Sequence, residues 1–154
     1  MVPLQLSRSN SGPKSTGATD HDGATPAQRA KKPASAVLVV DDEPLIRWSL
    51  RKGLLQSGYD VVEAGSAAEA LAVIAENSRE LGVVILDYRL PDRQDLSLLM
   101  EVRHLLPDAA VLMMTAYGDD EMRTQARALG VYAVVDKPFQ VRAFVALVDQ
   151  ARSH

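Results

Sequence analysis

Six residues of this 154-residue chain could do chemistry together: Asp41, Asp42, Glu43, Asp87, Thr115 and Lys137. Each lies just after a short apolar run. Val37-Leu38-Val39-Val40 precedes the first three, Val83-Val84-Ile85-Leu86 precedes Asp87, and similar runs precede Thr115 and Lys137. If these runs are strands of one parallel sheet, every group stands beyond a carboxyl end, where open α/β sheets bind ligands. A single Asp after a strand is ordinarily a turn residue or helix cap. Several carboxylates on one rim repel and call for a cation. Hard oxygen donors at an open site suit Mg²⁺. A Lys and a Thr hydroxyl beside it can hold phosphoryl oxygens, and an Asp carboxylate can itself be the nucleophile. The residues alone therefore lead to a Mg²⁺-dependent aspartyl-phosphate site.

The elements that must position them alternate along the chain. Apolar runs at 36–40, 59–63, 83–86, 109–114 and 131–135 are separated by helical patterns of about 12–15 residues, the signature of βαβ units and a parallel sheet. Near-continuous apolar strands fit a sheet covered on both faces. Pro44 suits the first turn of a helix that Gly58 ends. Ser66-Ala67-Ala68-Glu69 has the form of a capping box. Asp95 can cap the third helix, with Pro107 closing it. Asp119 and Asp120 suit the positive end of the fourth, which Gly130 ends. Val141, Phe144, Val145 and Val148 then form the apolar face of a fifth helix. The expectation is an α/β domain of (βα)5 form over residues 36–154.

Composition bounds the rest. The chain has 17 Lys and Arg against 20 Asp and Glu, and no cysteine. That excludes disulfides and thiolate sites and argues against nucleic acid as a direct partner. Apolar runs are too short for a membrane span, and nothing reads as a signal peptide, so a cytoplasmic protein is expected. Residues 1–35 hold five basic and two acidic residues and no aromatic, against 12 basic and 18 acidic residues in the remainder. The first segment reads as a disordered basic N-terminal tail. No two of the three histidines have metal-ligand spacing.

Four separated segments resemble the receiver domain of two-component response regulators: Val37 to Pro44, Val84 to Asp92, Met114-Thr115-Ala116-Tyr117 and Asp136-Lys137-Pro138-Phe139. Asp42-Glu43-Pro44-Leu45-Ile46-Arg47 is similar to receivers of NtrC-type regulators. The resemblance implies a flavodoxin-like doubly wound sheet of strand order 2-1-3-4-5. It implies phosphoryl transfer to Asp87 from a histidine kinase or phosphotransfer protein. It also implies Asp42 and Asp87 as Mg²⁺ ligands, Asp41 bound through water, and the backbone carbonyl of Arg89 as a further ligand. Lys137 and Thr115 would contact the phosphoryl group, and Lys137–Pro138 would be cis.

Two positions depart from the family pattern. The aromatic usual three residues before the Lys is replaced by Val134, so strand 5 is expected to lack that lever; the period of a strand puts Tyr132 on the same face, substitution by Tyr132 being the alternative. Asp95 stands where the loop after the phosphoacceptor usually has Gly. Trp48 lies off the apolar stripe of its helix, as a half-packed surface residue or a partner contact. The first functional reading is a receiver, a signalling domain rather than a turnover enzyme, whose output is an unknown protein or a homodimer. The alternatives are a truncated receiver of a longer transcriptional regulator, and a phosphate sink or non-switching scaffold. A haloacid-dehalogenase-like phosphatase would need a second Asp two residues after the nucleophile, where this chain has Arg89.

Overall fold

The computed structural model describes residues 36–116 and 118–153. The N-terminal tail expected from composition and Tyr117 of the third motif lie outside the described residues. Five strands, β1 (Ala36–Val40), β2 (Asp60–Ala64), β3 (Leu81–Asp87), β4 (Ala110–Thr115) and β5 (Ala133–Asp136), alternate with five helices. These are α1 (Pro44–Gln56), α2 (Ala67–Asn77), α3 (Ser97–Leu105), α4 (Asp120–Ala128) and α5 (Val141–Ser153). The strands are all parallel, in the order β2-β1-β3-β4-β5. This is the flavodoxin-like arrangement expected. The strand ends differ from the sequence reading by one or two residues. β3 starts earlier because Gly82 is taken up in a register shift against Ala36 and Val37.

Alternation along each strand divides the core in two. Leu38, Val40, Val84, Leu86, Val111 and Met113 pack against α2, α3 and α4 through Ala70, Ile74, Leu99, Val102 and Ala126. Val37, Val39, Val83, Ile85, Leu112 and Met114 pack against α1 and α5 through Leu50, Leu54, Phe144 and Val148. β1 is buried along its whole length, as expected of a central parallel strand covered on both sides.

Local chemistry ends the helices where the sequence indicates. Gly58 and Gly130 have φ of +91° and +94°. In each case the amides at and after the glycine return to carbonyls of the last turn, Gly58 to Leu55 and Tyr59 to Leu54, Gly130 to Arg127 and Val131 to Ala126. Ser66 Oγ accepts the Glu69 amide at 3.1 Å. The Glu69 carboxylate reaches back to Gly65 rather than to Ser66, so the capping box is displaced by one residue. Asp119 caps α4 through the Met122 amide at 2.8 Å. Asp95 accepts from the Ser97 amide at 3.0 Å and the Ser97 hydroxyl at 2.6 Å; it does so from one residue outside the expected position, because the N-cap of α3 is Leu96. Among the described residues no helix is long and apolar enough to cross a membrane.

Gly53 lets α1 and α5 approach. A Cβ there would lie 2.6 Å from Val141 Cγ1 and 3.2 Å from Val145 Cγ2. Gly53→Ala gains about 1 kcal/mol of helix propensity, but overpacking two stiff β-branched neighbours costs about 1–3 kcal/mol. We expect a net loss of about 1 kcal/mol in urea denaturation, relieved in Gly53→Ala/Val141→Ala. A stabilised single variant would contradict the close approach.

Candidate functional site

Strand register brings the acidic residues together. Val40 is aligned with Leu86, so the next residues, Asp41 and Asp87, leave neighbouring strands side by side. Asp87 is aligned with Met114, and Thr115 with Asp136. The Lys137 amide then donates to the Thr115 carbonyl at 2.8 Å. The rim opens into a cavity of about 300 Å³ lined by Asp42, Asp87, Arg89, Thr115, Ala116 and Lys137, with Glu43, Leu90, Pro91 and Gln94 around them. Asp42, Glu43, Asp87, Thr115 and Lys137 line it, and Asp41 is joined to them through Lys137. A larger cavity of about 520 Å³ lies at the amino ends of the strands beside Arg103, Tyr132 and Arg152, away from these carboxylates.

Lys137 ties the cluster. Its Nζ lies 2.8 Å from Asp41 Oδ2, 3.2 Å from Glu43 Oε1 and 3.3 Å from Asp87 Oδ1. Burial lowers its proton affinity. The Asp41 hydrogen bond and the charges of Asp87 and Asp41 outweigh that and raise it, so Lys137 remains an ammonium ion. Asp41 is fully buried, with its other oxygen accepting the Glu43 amide at 2.8 Å. Its backbone carbonyl accepts from Arg47 at 2.6 Å, while the same guanidinium donates to Glu63 at 3.1 Å. Arg47 thus pins the β1–α1 loop. The sequence reading did not single it out, since a side-chain contact to a backbone carbonyl leaves no pattern.

Asp87 is 6% exposed. Burial first, and then the Asp41 charge, push its carboxyl up to about 6, against the opposing pull of Lys137. One ammonium cannot satisfy every carboxylate, and Asp41 holds its shortest contact. Thr115 is buried at the end of β4, and its methyl fills the space that a Cβ on Gly118 would need. Arg89 and Ala116 are exposed at the cavity mouth. The Lys137–Pro138 bond is cis.

One oxygen from each of Asp41, Asp42 and Asp87 lies within 4.8 Å of the others. Four carboxylates, counting Glu43, face the Lys137 ammonium and the Arg89 guanidinium, which leaves negative charge in excess. An open set of hard oxygen donors with that surplus fits a divalent cation of the Mg²⁺ type.

The departures resolve differently. Asp95 is accommodated through its bonds to Ser97, and the loop before it closes through paired Leu90 and Arg93. The expectation that Tyr132 shares a face with Val134 is wrong. Tyr132 precedes β5 and packs with the α1–α5 side, whereas Val134 packs with the α2–α4 side. The alternation begins only at Ala133, so counting by two from outside the strand fails. Trp48 is 56% exposed, with Lys52 Nζ 5.1 Å above its ring.

The model of the response regulator receiver domain matches residues 37–149. The DNA-binding transcriptional regulator NtrC of Escherichia coli K12 is 34% identical over 118 residues, which are 77% of this chain and 25% of that protein. The chain thus spans about a quarter of that relative's length. A receiver-domain structure from Clostridium thermocellum superposes with a TM-score of 0.72 at 28% identity, covering 77% of this chain and 94% of that one. A Burkholderia pseudomallei response regulator, described with a phosphorylated aspartic acid and a calcium ion, gives 0.68 at 28% identity, covering 77% and 69%.

The position of Asp87 sets a pH dependence. Its folded carboxyl binds a proton more tightly than an unfolded one, so stability in EDTA falls as pH rises from about 4 to about 6. The loss above that range is on the order of 1–3 kcal/mol. Asp87→Asn should flatten the curve and be the more stable protein at pH 7.5, as read by urea denaturation. An unchanged curve would place the strain elsewhere.

Proposed function

The chain belongs to the response regulator receiver domain family, and from that membership we propose that it accepts a phosphoryl group on Asp87 from the phosphohistidine of a histidine kinase or phosphotransfer protein. The observation that carries this reading is a buried carboxylate, Asp87, at the mouth of an open cavity. It lies 3.3 Å from an ammonium and close to two further carboxylates. Asp42, Asp87, Asp41 through a water, and the Arg89 carbonyl are the groups proposed to hold Mg²⁺. When bound, the cation neutralises the crowded carboxylates and the phosphoryl oxygens.

Ionised Asp87 supplies the electron pair for the new P–O bond. The P–N bond of the donor breaks, and its electron pair returns to the imidazole. Lys137 shifts from sharing itself among carboxylates to balancing phosphoryl charge, and the Thr115 hydroxyl hydrogen-bonds a phosphoryl oxygen. No acid/base carboxylate stands two residues after Asp87, where Arg89 lies. The product is therefore a phosphoprotein that signals, not a released product of turnover. Its output is a phosphorylation-dependent contact with another protein or a second copy, at a cytoplasmic location. A DNA-directed output belongs to a longer regulator such as the NtrC relative.

Acetyl phosphate with Mg²⁺ should add one phosphoryl group by intact mass, and Asp87→Ala or EDTA should abolish it. Labelling retained in either case would refute the assignment. Lys137→Ala should still label but lose the amide-shift response to beryllofluoride.

Val134 is small and nearly fixed at χ1, so β5 lacks a side chain that can swing. In wild type, beryllofluoride shifts should therefore be larger around Ala116–Asp119 and the start of α4 than around Val134 and Phe144. Equal shifts would show that another group replaces the aromatic.

A further inference from the structure

The segment from Tyr88 to Leu96 carries Arg89 and follows directly on Asp87; beyond Tyr88, whose amide still donates to the Met114 carbonyl of β4 at 2.9 Å, its regular backbone pairing among the described residues is the Leu90–Arg93 bridge. Such a segment keeps a fixed geometry only through its attachments. Leu90 is buried at 2% exposure. Arg93 pairs with Glu101 of α3 and donates to Ser97 Oγ at 3.3 Å. The third attachment runs to a different helix. Asp92 Oδ1 accepts the Ala67 amide at 2.8 Å, and Oδ2 accepts the Ala68 amide at 3.0 Å.

These are the first two amides of α2, 25 and 24 residues away in sequence. The helix already has its own cap, because Ser66 takes the Glu69 amide. α2 therefore starts without Asp92, whereas the loop has no comparable polar hold on that side. A carboxylate across two amides at a helix amino end makes charge-assisted bonds aligned with the helix dipole. Both amides hold the Asp92 carboxyl below its usual range. Asp92 also sits at the tip of a tight turn. The Leu90 amide donates to the Arg93 carbonyl at 2.8 Å and the Arg93 amide to the Leu90 carbonyl at 3.3 Å, with Pro91 at fixed φ between them. Holding the tip holds the turn, and Arg89 is the residue that enters it.

We infer that Asp92 is a positioning residue, which clamps the Leu90–Arg93 turn to the amino end of α2 and so keeps Asp87 and the Arg89 carbonyl in cation-binding register. This rests on the Mg²⁺ site proposed above. Groups that bond directly to metal ligands control affinity by tenfold or more; Asp92 acts further out, through the turn that Arg89 enters, and joins the phosphoacceptor loop to an element outside the cavity.

The test is a Mg²⁺ titration of the full chain, followed by amide shifts of Asp87 to Arg89, with hydrogen exchange at Ala67 and Ala68 as a second readout. Asp92→Ala should weaken Mg²⁺ binding about tenfold and speed exchange at both amides. Ser66→Ala removes the cap of the same helix without touching the loop, and should leave Mg²⁺ affinity within about twofold of wild type. Asp92→Asn keeps one acceptor but sets a donor against the second amide and loses the charge, so its Mg²⁺ affinity should fall between those of wild type and Asp92→Ala. Wild-type affinity in Asp92→Ala would overturn the inference, as would an equal loss in Ser66→Ala, which would assign the effect to helix integrity. Absence of saturable Mg²⁺ shifts in wild type would instead remove the metal site and the positioning role with it.

Discussion

Lys137 shared among three carboxylates is the interaction on which the site depends. Asp41 is fully buried, and the Lys137 side chain, 12% exposed, reaches it from the cavity. Removing one member of such a pair leaves a buried charge uncompensated, at a cost of about 3–5 kcal/mol. The pairing is nonetheless incomplete by design of the charge balance. Asp41 takes the shortest contact, and burial together with the Asp41 charge pushes the Asp87 carboxyl up to about 6. The same imbalance that strains the cation-free protein gives it a reason to bind a hard cation and a phosphoryl group.

Everything else in the fold brings these groups to one rim and keeps them there. Two apolar faces flank a parallel sheet whose central strand is wholly buried, so the register of β1 against β3 cannot slip without turning apolar side chains to the wrong layer. That register sets Asp41 beside Asp87. The loops beyond the strands have no such layer to hold them and rely on polar ties instead. Arg47 to the Asp41 carbonyl, Asp92 to α2 and Asp95 to α3 each fasten one stretch of loop. The rigid sheet fixes where the carboxylates emerge, and the ties fix how their loops leave.

Under the proposed function, the face of β5 that carries Val134 bears on the route a signal would take. Phosphorylation can shift an equilibrium only by the difference in contact that the phosphoryl group makes with the two states. A small β-branched residue lies on that face and Tyr132 on the other, which is why the proposed response is centred on Thr115 and the entry to α4. There Gly118 packs directly on the Thr115 methyl.

Much of this was legible in the residues. Apolar runs of strand length alternating with helical patterns fixed the (βα)5 class. Glycines and prolines punctuated the helices where the backbone indeed turns, since positive φ and a missing amide are local properties. The six site residues were readable because each follows a strand, and parallel topology sends every such position to the same edge. The ties among loops were not readable. Asp92 looks like any turn aspartate, and Arg47 like any helix-surface arginine. Their partners are backbone groups, which every residue possesses and no pattern marks. The face of Tyr132 was misjudged for a related reason: period-two counting holds only inside a strand, and where β5 begins is set by its hydrogen bonds to β4. The sequence by itself determined which chemistry gathers at the carboxyl edge, because residue type and position after a strand are local facts. Only the tertiary structure decided how Lys137 is divided among its carboxylates and which loops are clamped to which helices, because those depend on distances between segments far apart in the chain.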